Sequence, residues 1–195
     1  DVMSRLIAPK LTERLGQTVI VDNRVGANGQ IGMEFGARAA PDGYTLTGGQ
    51  GGSMVVMPHT YKKLSYDPLR DYTLITVSTT NFLGMVVHPS VPFKSARDLI
   101  NFARANPGRI SFGSNGEGAF THLAVESLRL MSGFTYTHVP YKGSAQLTTD
   151  LLGGHIDAAM AGITGLTPMI RAGKLRLLAI STLKRQAAFE GVPTI

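Results

Sequence analysis

Short β-prone runs alternate with helical patterns along almost the whole chain, and at several changeovers the sequence turns to glycine. That alternation limits the fold more than any other feature. Strands separated by helices of this length predict parallel α/β units. Val2 to Leu15 carries apolar residues at 2, 6, 7, 11 and 15, with Gly16 placed as a helix stop. "TVIVD" (Thr18–Asp22) reads as a buried strand, Ile31–Ala40 as a short helix, and "YTLT" (Tyr44–Thr47) as a strand running into "GGQGGS". Tyr72–Ser78 and Gly84–His88 are further strands. Ser95 and Asp98 stand in capping-box spacing ahead of a helix that stops at Pro107–Gly108. The strand Ile110–Phe112, a helix to about Met131 and the strand Phe134–Val139 follow. A helix over Ala145–Leu152, the strand "HIDAAM", the helix "LTPMIRAG" and the strand "KLRLLAIS" complete the order.

Two stretches share a plan. "PDGYTLTGGQGGSMVV" and "PGRISFGSNGEGAFTH" each run from a Pro/Gly turn through a short strand and a glycine-rich loop into a helical restart. In open parallel sheets, ligands bind beyond the carboxyl ends of strands, so two such loops suit two lobes facing one cleft. Glycines let backbone N–H groups approach a ligand closely, and a helix N-terminus favours negative charge. Ser114 and Thr121 can add neutral hydrogen bonds. Tyr141 and Lys142 fall between a strand and a helix in "VPYKGSAQ", on the same rim as the 113–122 loop.

Other chemistries fare worse. A Walker loop needs Gly-Lys-Ser/Thr, whereas Gly118 is followed by Ala119. Gly26, Gly29 and Gly32 in "VGANGQIG" are spaced Gly-x-x-Gly-x-x-Gly, a weak form of the dinucleotide fingerprint. Ser114 is not centred in Gly-x-Ser-x-Gly, and spacing gives no support to a triad with His122 and Asp157. His155 and Asp157 alternate on an expected strand, but two residues do not make a metal site. With no cysteine, disulfides and thiolate catalysis drop out together. Lys and Arg outnumber Asp and Glu by 19 to 13, yet they are scattered, which argues against nucleic acid and for mild attraction to small anions. At 43% hydrophobic and 16% charged residues, the 195-residue chain is globular in composition. No apolar run is long enough to cross a bilayer as a helix.

Taken in order, "VIVDNRVGANGQIG", "AAPDGYTL", "LSYDPLRDYTLIT", "SNGEGAFTHLA", "HVPYKGSAQ", "TDLLGGHIDAAM", "AGKLRLLAISTLKR" and "GVPTI" resemble the Bug-type solute-binding proteins of tripartite tricarboxylate transporters. The resemblance spans nearly all of the chain. It implies an α/β, two-lobed periplasmic binding protein of the type II architecture, located in the periplasm, monomeric, without cofactor, metal or catalysis. Such proteins deliver a carboxylate or related solute to membrane permease subunits. It carries ligand-binding roles onto Ser114, Asn115, Gly116, Thr121 and His122. Asp1, Gly52 and Ser53 (the last two in the earlier glycine-rich loop), and Tyr141 and Lys142 are further ligand-binding candidates. The family's first-lobe loop reads Pro-Gly-Gly-x-x-Asp, and only Asp1 matches its last residue. The first strand and a C-terminal segment are therefore expected to be absent, and the intact gene product to be longer. Lobe 1 is expected over 1–84 with 182–195, and lobe 2 over 85–181. Ala119 stands where many members have Thr, and Met54 and Met57 where His and Asn are frequent, which points to a less polar cargo. The alternatives are an NAD-binding enzyme using the Gly26–Gly32 loop, or an effector-sensing domain of a transcription regulator.

Overall fold

The computed structural model describes residues 2–195, which group into two compact units, one reaching to residue 80 and the other covering 81–195. Helices appear in the expected order. In the first unit they are α1 (Val2–Leu15), α2 (Gln30–Arg38) and α3 (Met57–Thr60). Gly16 closes α1 by donating its N–H to Thr12 O at 3.0 Å, in the left-handed conformation that glycine adopts without a Cβ penalty. Met33, Met57 and Tyr66 are buried, and the Tyr66 and Tyr72 rings meet edge to face at 6.1 Å.

The expected strands Thr18–Asp22, Tyr44–Thr47 and Tyr72–Ser78 do not form. Among the described residues these segments have no ladder partner in the first unit. Ile20 is 83% exposed, Tyr44 88% and Val77 79%. β-branched and aromatic residues bias a segment towards extension, but a strand exists only when a neighbour takes its N–H and C=O groups.

The second unit is a five-stranded sheet with helices on both faces. Its strands are β1 (Leu83–Val87), β2 (Ser111–Ser114), β3 (Thr137–Pro140), β4 (Ala158–Gly162) and β5 (Arg176–Ile180), in the order β3-β2-β4-β1-β5. β2 runs parallel to β3 and β4, as the strand–helix alternation requires. β1 runs antiparallel to β4 and β5, so the expected parallel units, seen at β2 with β3 and β4, stand within a mixed sheet. No helix connects β1 to a parallel neighbour: the chain goes from β1 into α4 (Ala96–Ala105) and then to β2, two strands away.

Alternation along the strands splits the core into two layers. Met85 and Val87, Phe112, and Ala158 and Met160 face Leu99 and Ala103 of α4 and Val125 and Leu128 of α5 (Phe120–Ser132). Val86, Ala159 and Ala161 face Leu147 and Leu151 of α6 (Ser144–Leu152) and Ile163 and Leu166 of α7 (Ile163–Arg171). Each fully buried Leu, Ile, Met or Phe contributes about 1.5–3 kcal/mol of transfer free energy. Both strand faces are apolar, which is why these strands read as runs such as "GMVV" and "AAMAG".

The Ser95 cap forms as the sequence predicts. Its hydroxyl accepts from the Asp98 N–H at 3.1 Å, and Asp98 takes the Lys94 N–H at 3.2 Å. Residues 81–84 and 182–195 group with the second compact unit. Leu83 and Gly84 lie in β1, and residues 193–195 lie beside β5, with the Ile195 N–H on Ile180 O at 2.9 Å.

Candidate functional site

The stretch between β2 and α5 holds a cluster of polar side chains bonded to its own backbone. β2 ends at Ser114, which is 1% exposed. Its Oγ accepts the Gly116 N–H at 3.2 Å, lies 3.0 Å from Gly116 O, and meets His138 Nε2 of β3 at 2.7 Å. Thr121, also buried, turns back to accept the Asn115 N–H on Oγ1 at 3.0 Å. His122 Nδ1 accepts the Gly118 N–H at 3.0 Å. Gly116 and Gly118 sit at φ 135° and 69°, which lets the chain reverse tightly enough for these bonds to close.

Three side chains expected to meet a ligand thus hold the loop itself. What the loop leaves open is backbone. Ala119 caps α5 without a side-chain hydrogen bond, and the first helical amide to find an acceptor is Leu123, on Ala119 O at 3.0 Å. The amides of Phe120, Thr121 and His122 therefore have no acceptor within the helix. They point along the helix dipole towards its N-terminal side, where negative charge is favoured. Asn115 Oδ1 is buried without a hydrogen-bond partner.

Tyr141 and Lys142 follow β3 directly. The Tyr141 N–H bonds Ser114 O at 2.9 Å and extends the β2–β3 ladder, which places both residues at the end of β2. Tyr141 is buried, and its hydroxyl donates to Asp150 Oδ2 at 2.8 Å. Burial, then that hydrogen bond, pushes the phenol up to about 12, so it is a neutral donor. Lys142 is exposed and brings a positive charge to this rim.

Sequence reasoning missed His138. Its ring lies parallel to that of His122, with centroids 3.9 Å apart and planes 2° off parallel. Burial first, and the neighbouring His122 second, hold His138 below the ordinary histidine value. The signal present was the alternation in "FTYTHV", which sets Tyr136 and His138 on one face. Its use required the β2–β3 register, in which Phe112 pairs with His138.

The remaining candidates resolve individually. In the first unit Ser53 is buried, and its hydroxyl pairs with the backbone N–H and carbonyl of Gln50 at 3.2 and 3.1 Å, closing the turn in which Gly52 stands. Met57 is buried against the Tyr66 hydroxyl, so it fills core rather than lining a surface. Gly26 and Gly29 adopt φ 126° and 92° in a tight turn, and a Cβ on Gly32 would lie 3.1 Å from Arg24 O. Backbone geometry accounts for all three glycines. Asp157 accepts from the Ser111 N–H and hydroxyl at 2.8 and 2.7 Å, and it does not meet His122 in a triad. His155 and Asp157 precede β4 instead of lying on it, and His155 faces Asp150 at 3.7 Å. Asp1 lies outside the described residues.

The chain matches the family model described as "Tripartite tricarboxylate transporter family receptor" over residues 3–195. It is 36% identical over 196 residues to the protein BugT of Bordetella pertussis, covering all of this chain and 60% of that one. Among solved structures it resembles R. palustris Rpa4515 with adipate, at 33% identity and a TM-score of 0.89. It also resembles MatC (Rpa3494) from Rhodopseudomonas palustris with bound malate, at 26% identity and a TM-score of 0.91. All of this chain is covered in both cases, with 65% and 66% of those chains. The chain spans about 60% of the length of the curated relatives it matches.

Proposed function

The chain belongs to the tripartite tricarboxylate transporter receptor family, and from that premise we propose that it is the cargo-gripping part of a solute-binding protein. The full-length protein works in the periplasm as a monomer without a cofactor, captures a small carboxylate between two lobes, and passes it to membrane permease subunits. No turnover is involved. The expected lobe division, 1–84 with 182–195 against 85–181, belongs to this proposal. Closure on the ligand requires that the closed state bind more tightly than the open one.

The observation that carries the reading is the outward offer of the β2–α5 loop. Its hydroxyl and imidazole groups bond the loop's own backbone, while the first-turn amides of α5 lack helical acceptors. A carboxylate supplies acceptors and negative charge together, which suits such a terminus. Lys142 at the same rim adds a long-range attraction. Adipate and malate, bound in two related structures, are dicarboxylates. The apolar bias expected from Ala119 receives support from Phe120, which is 53% exposed at the first position of α5. Helical side chains tilt towards the N-terminus, so this ring lies over the side from which a ligand approaches the amides.

Thermal shifts of the full-length protein with adipate, malate, citrate, benzoate and NAD test the proposal. A ligand at 100 times its dissociation constant adds about 2.7 kcal/mol, a shift of several degrees. The expected result is a shift with adipate or benzoate larger than with citrate, and none with NAD. A shift with NAD alone would overturn the carboxylate reading and redirect attention to Gly26, Gly29 and Gly32.

A further inference from the structure

The stacked imidazoles beside the β2–α5 loop do more than fill space. A backbone N–H can only donate, so the 3.0 Å bond from Gly118 requires a lone pair on His122 Nδ1. Protonating that nitrogen would set two donors against each other and break the bond. His138 is tied to the same loop from the other side. Ser114 Oγ accepts the Gly116 N–H and has one proton, which serves either Gly116 O or His138 Nε2. The state of His138 therefore decides which way the Ser114 hydroxyl points: a proton on Nε2 donates to Oγ and leaves the hydroxyl for Gly116 O, while the Gly116 N–H keeps its acceptor in either state. The two rings lie 3.9 Å apart and parallel, so a charge on one sits directly over the other. Two imidazolium ions at that separation repel strongly, so the pair takes up its two protons in separate steps.

We propose that His122 and His138 are coupled positioning residues: with His122 neutral, its Nδ1 locks the amide-bearing loop through Gly118, and a proton on that nitrogen, opposed by charge on the stacked His138, releases it. Several groups face them. From the loop, Glu117 favours charge on His138, and from α5 Glu126 does so as well. Glu126 is already engaged by Arg129 at 2.8 Å and by the Tyr136 hydroxyl at 2.7 Å, which moderates its pull. Tyr136, on the chain just ahead of β3, approaches the His138 ring edge-on at 6.3 Å and stays neutral. The device acts on the loop's shape whatever the cargo is. Its consequence for capture, weaker ligand binding in acid, rests on the function proposed above.

The test has two arms. In the first, NMR follows the histidine rings and the Gly116 and Gly118 amides of the ligand-free protein from pH 8 to 5. The Gly118 amide is expected to move with the His122 ring. In His122→Asn, the side-chain oxygen can accept the Gly118 N–H without titrating, so the Gly118 signal should become independent of pH. In His138→Gln, which removes the opposing charge, the Gly118 transition should shift to higher pH. A Gly118 amide that stays fixed while the His122 ring titrates, or that moves equally in both variants, would overturn the inference. The wild-type titration decides even if a variant fails to fold. The second arm measures the dissociation constant of adipate over the same range, with His122→Asn correcting for protonation of adipate itself. An additional weakening of about tenfold in the wild type is expected, within the usual range of coupled sites. Absence of adipate binding at every pH would count against the proposed function and leave the first arm standing. Equal pH dependence in wild type and variant would overturn the link to capture.

Discussion

At the scale of single residues, the loop after β2 shows how buried polar groups are kept satisfied. Ser114 and Thr121 are 1% and 5% exposed, and each hydroxyl bonds a loop amide instead of water. Next to them, two titratable groups tie stability to pH in the same direction. The Glu126 carboxyl is held low chiefly by its hydrogen bond from Arg129, then by the one from Tyr136. Its contribution is present above the ordinary value of 4.5 and is lost as pH falls through the lower folded value. His138 is depressed by burial and by His122, so the unfolded chain takes up a proton there before the folded one does. Stability is then full above 6.5 and declines as pH falls from there through the folded value. Denaturant midpoints by circular dichroism should hold level above pH 6.5, fall once below it, and fall again below 4.5. His138→Gln is expected to remove the upper decline and Glu126→Gln to reduce the lower one. A wild-type midpoint that stays level between pH 7 and 5 would contradict the account of His138.

At the scale of elements, two glycines with opposite roles separate loop geometry from helix propensity. Gly118, at φ 69°, occupies a left-handed position that costs an L-residue about 1–2 kcal/mol, so Gly118→Ala should lower the midpoint by that amount. Gly165 lies inside α7 with open space where a Cβ would go, and Gly165→Ala should raise stability by about 0.5–1 kcal/mol. Urea titrations of the two variants should shift in opposite directions, and a shared direction would sink the distinction. The contrast also marks what the sequence could carry. The Ser95 cap, the Gly16 stop and the helical periodicities are local, and they agree with the observed helices to within a few residues. The glycine-rich loop was equally visible, because Gly116 and Gly118 sit within four residues of the groups they bond. Strand direction was not. Nothing in "GMVV" distinguishes a strand antiparallel to β4 from a parallel one, since both faces are buried either way. The loop bonds of Ser114 and Thr121 were not legible for a similar reason: a hydroxyl before a helix serves a ligand or the loop, and only the folded chain shows which loop amides it bonds.

At the scale of the whole molecule, the two units protect their backbones by different means. In the second, every strand has a neighbour, and β4 and β1 lie inside the sheet with helices over both faces. Opening any central hydrogen bond there exposes core residues such as Met85 and Phe112, both 0% exposed. In the first unit the β-prone segments 18–22, 44–47 and 72–78 carry apolar side chains to the surface, with Leu74 66% and Ile75 76% exposed. One tie is a side-chain bond, from the Val19 N–H to the Thr12 hydroxyl at 2.9 Å, and it offers little resistance to opening. Exchange of a backbone amide follows the free energy of the smallest opening that frees it, from near zero in unprotected segments to the global value in core strands. Hydrogen–deuterium exchange of this 195-residue chain should therefore find segments 18–22, 44–47 and 72–78 exchanging early. Peptides covering β1, β2 and β4 should exchange last. Slow exchange of Tyr72–Ser78, matching that of β1, would mean that this segment has a backbone partner in solution, and the ladder-free description of the first unit would fail.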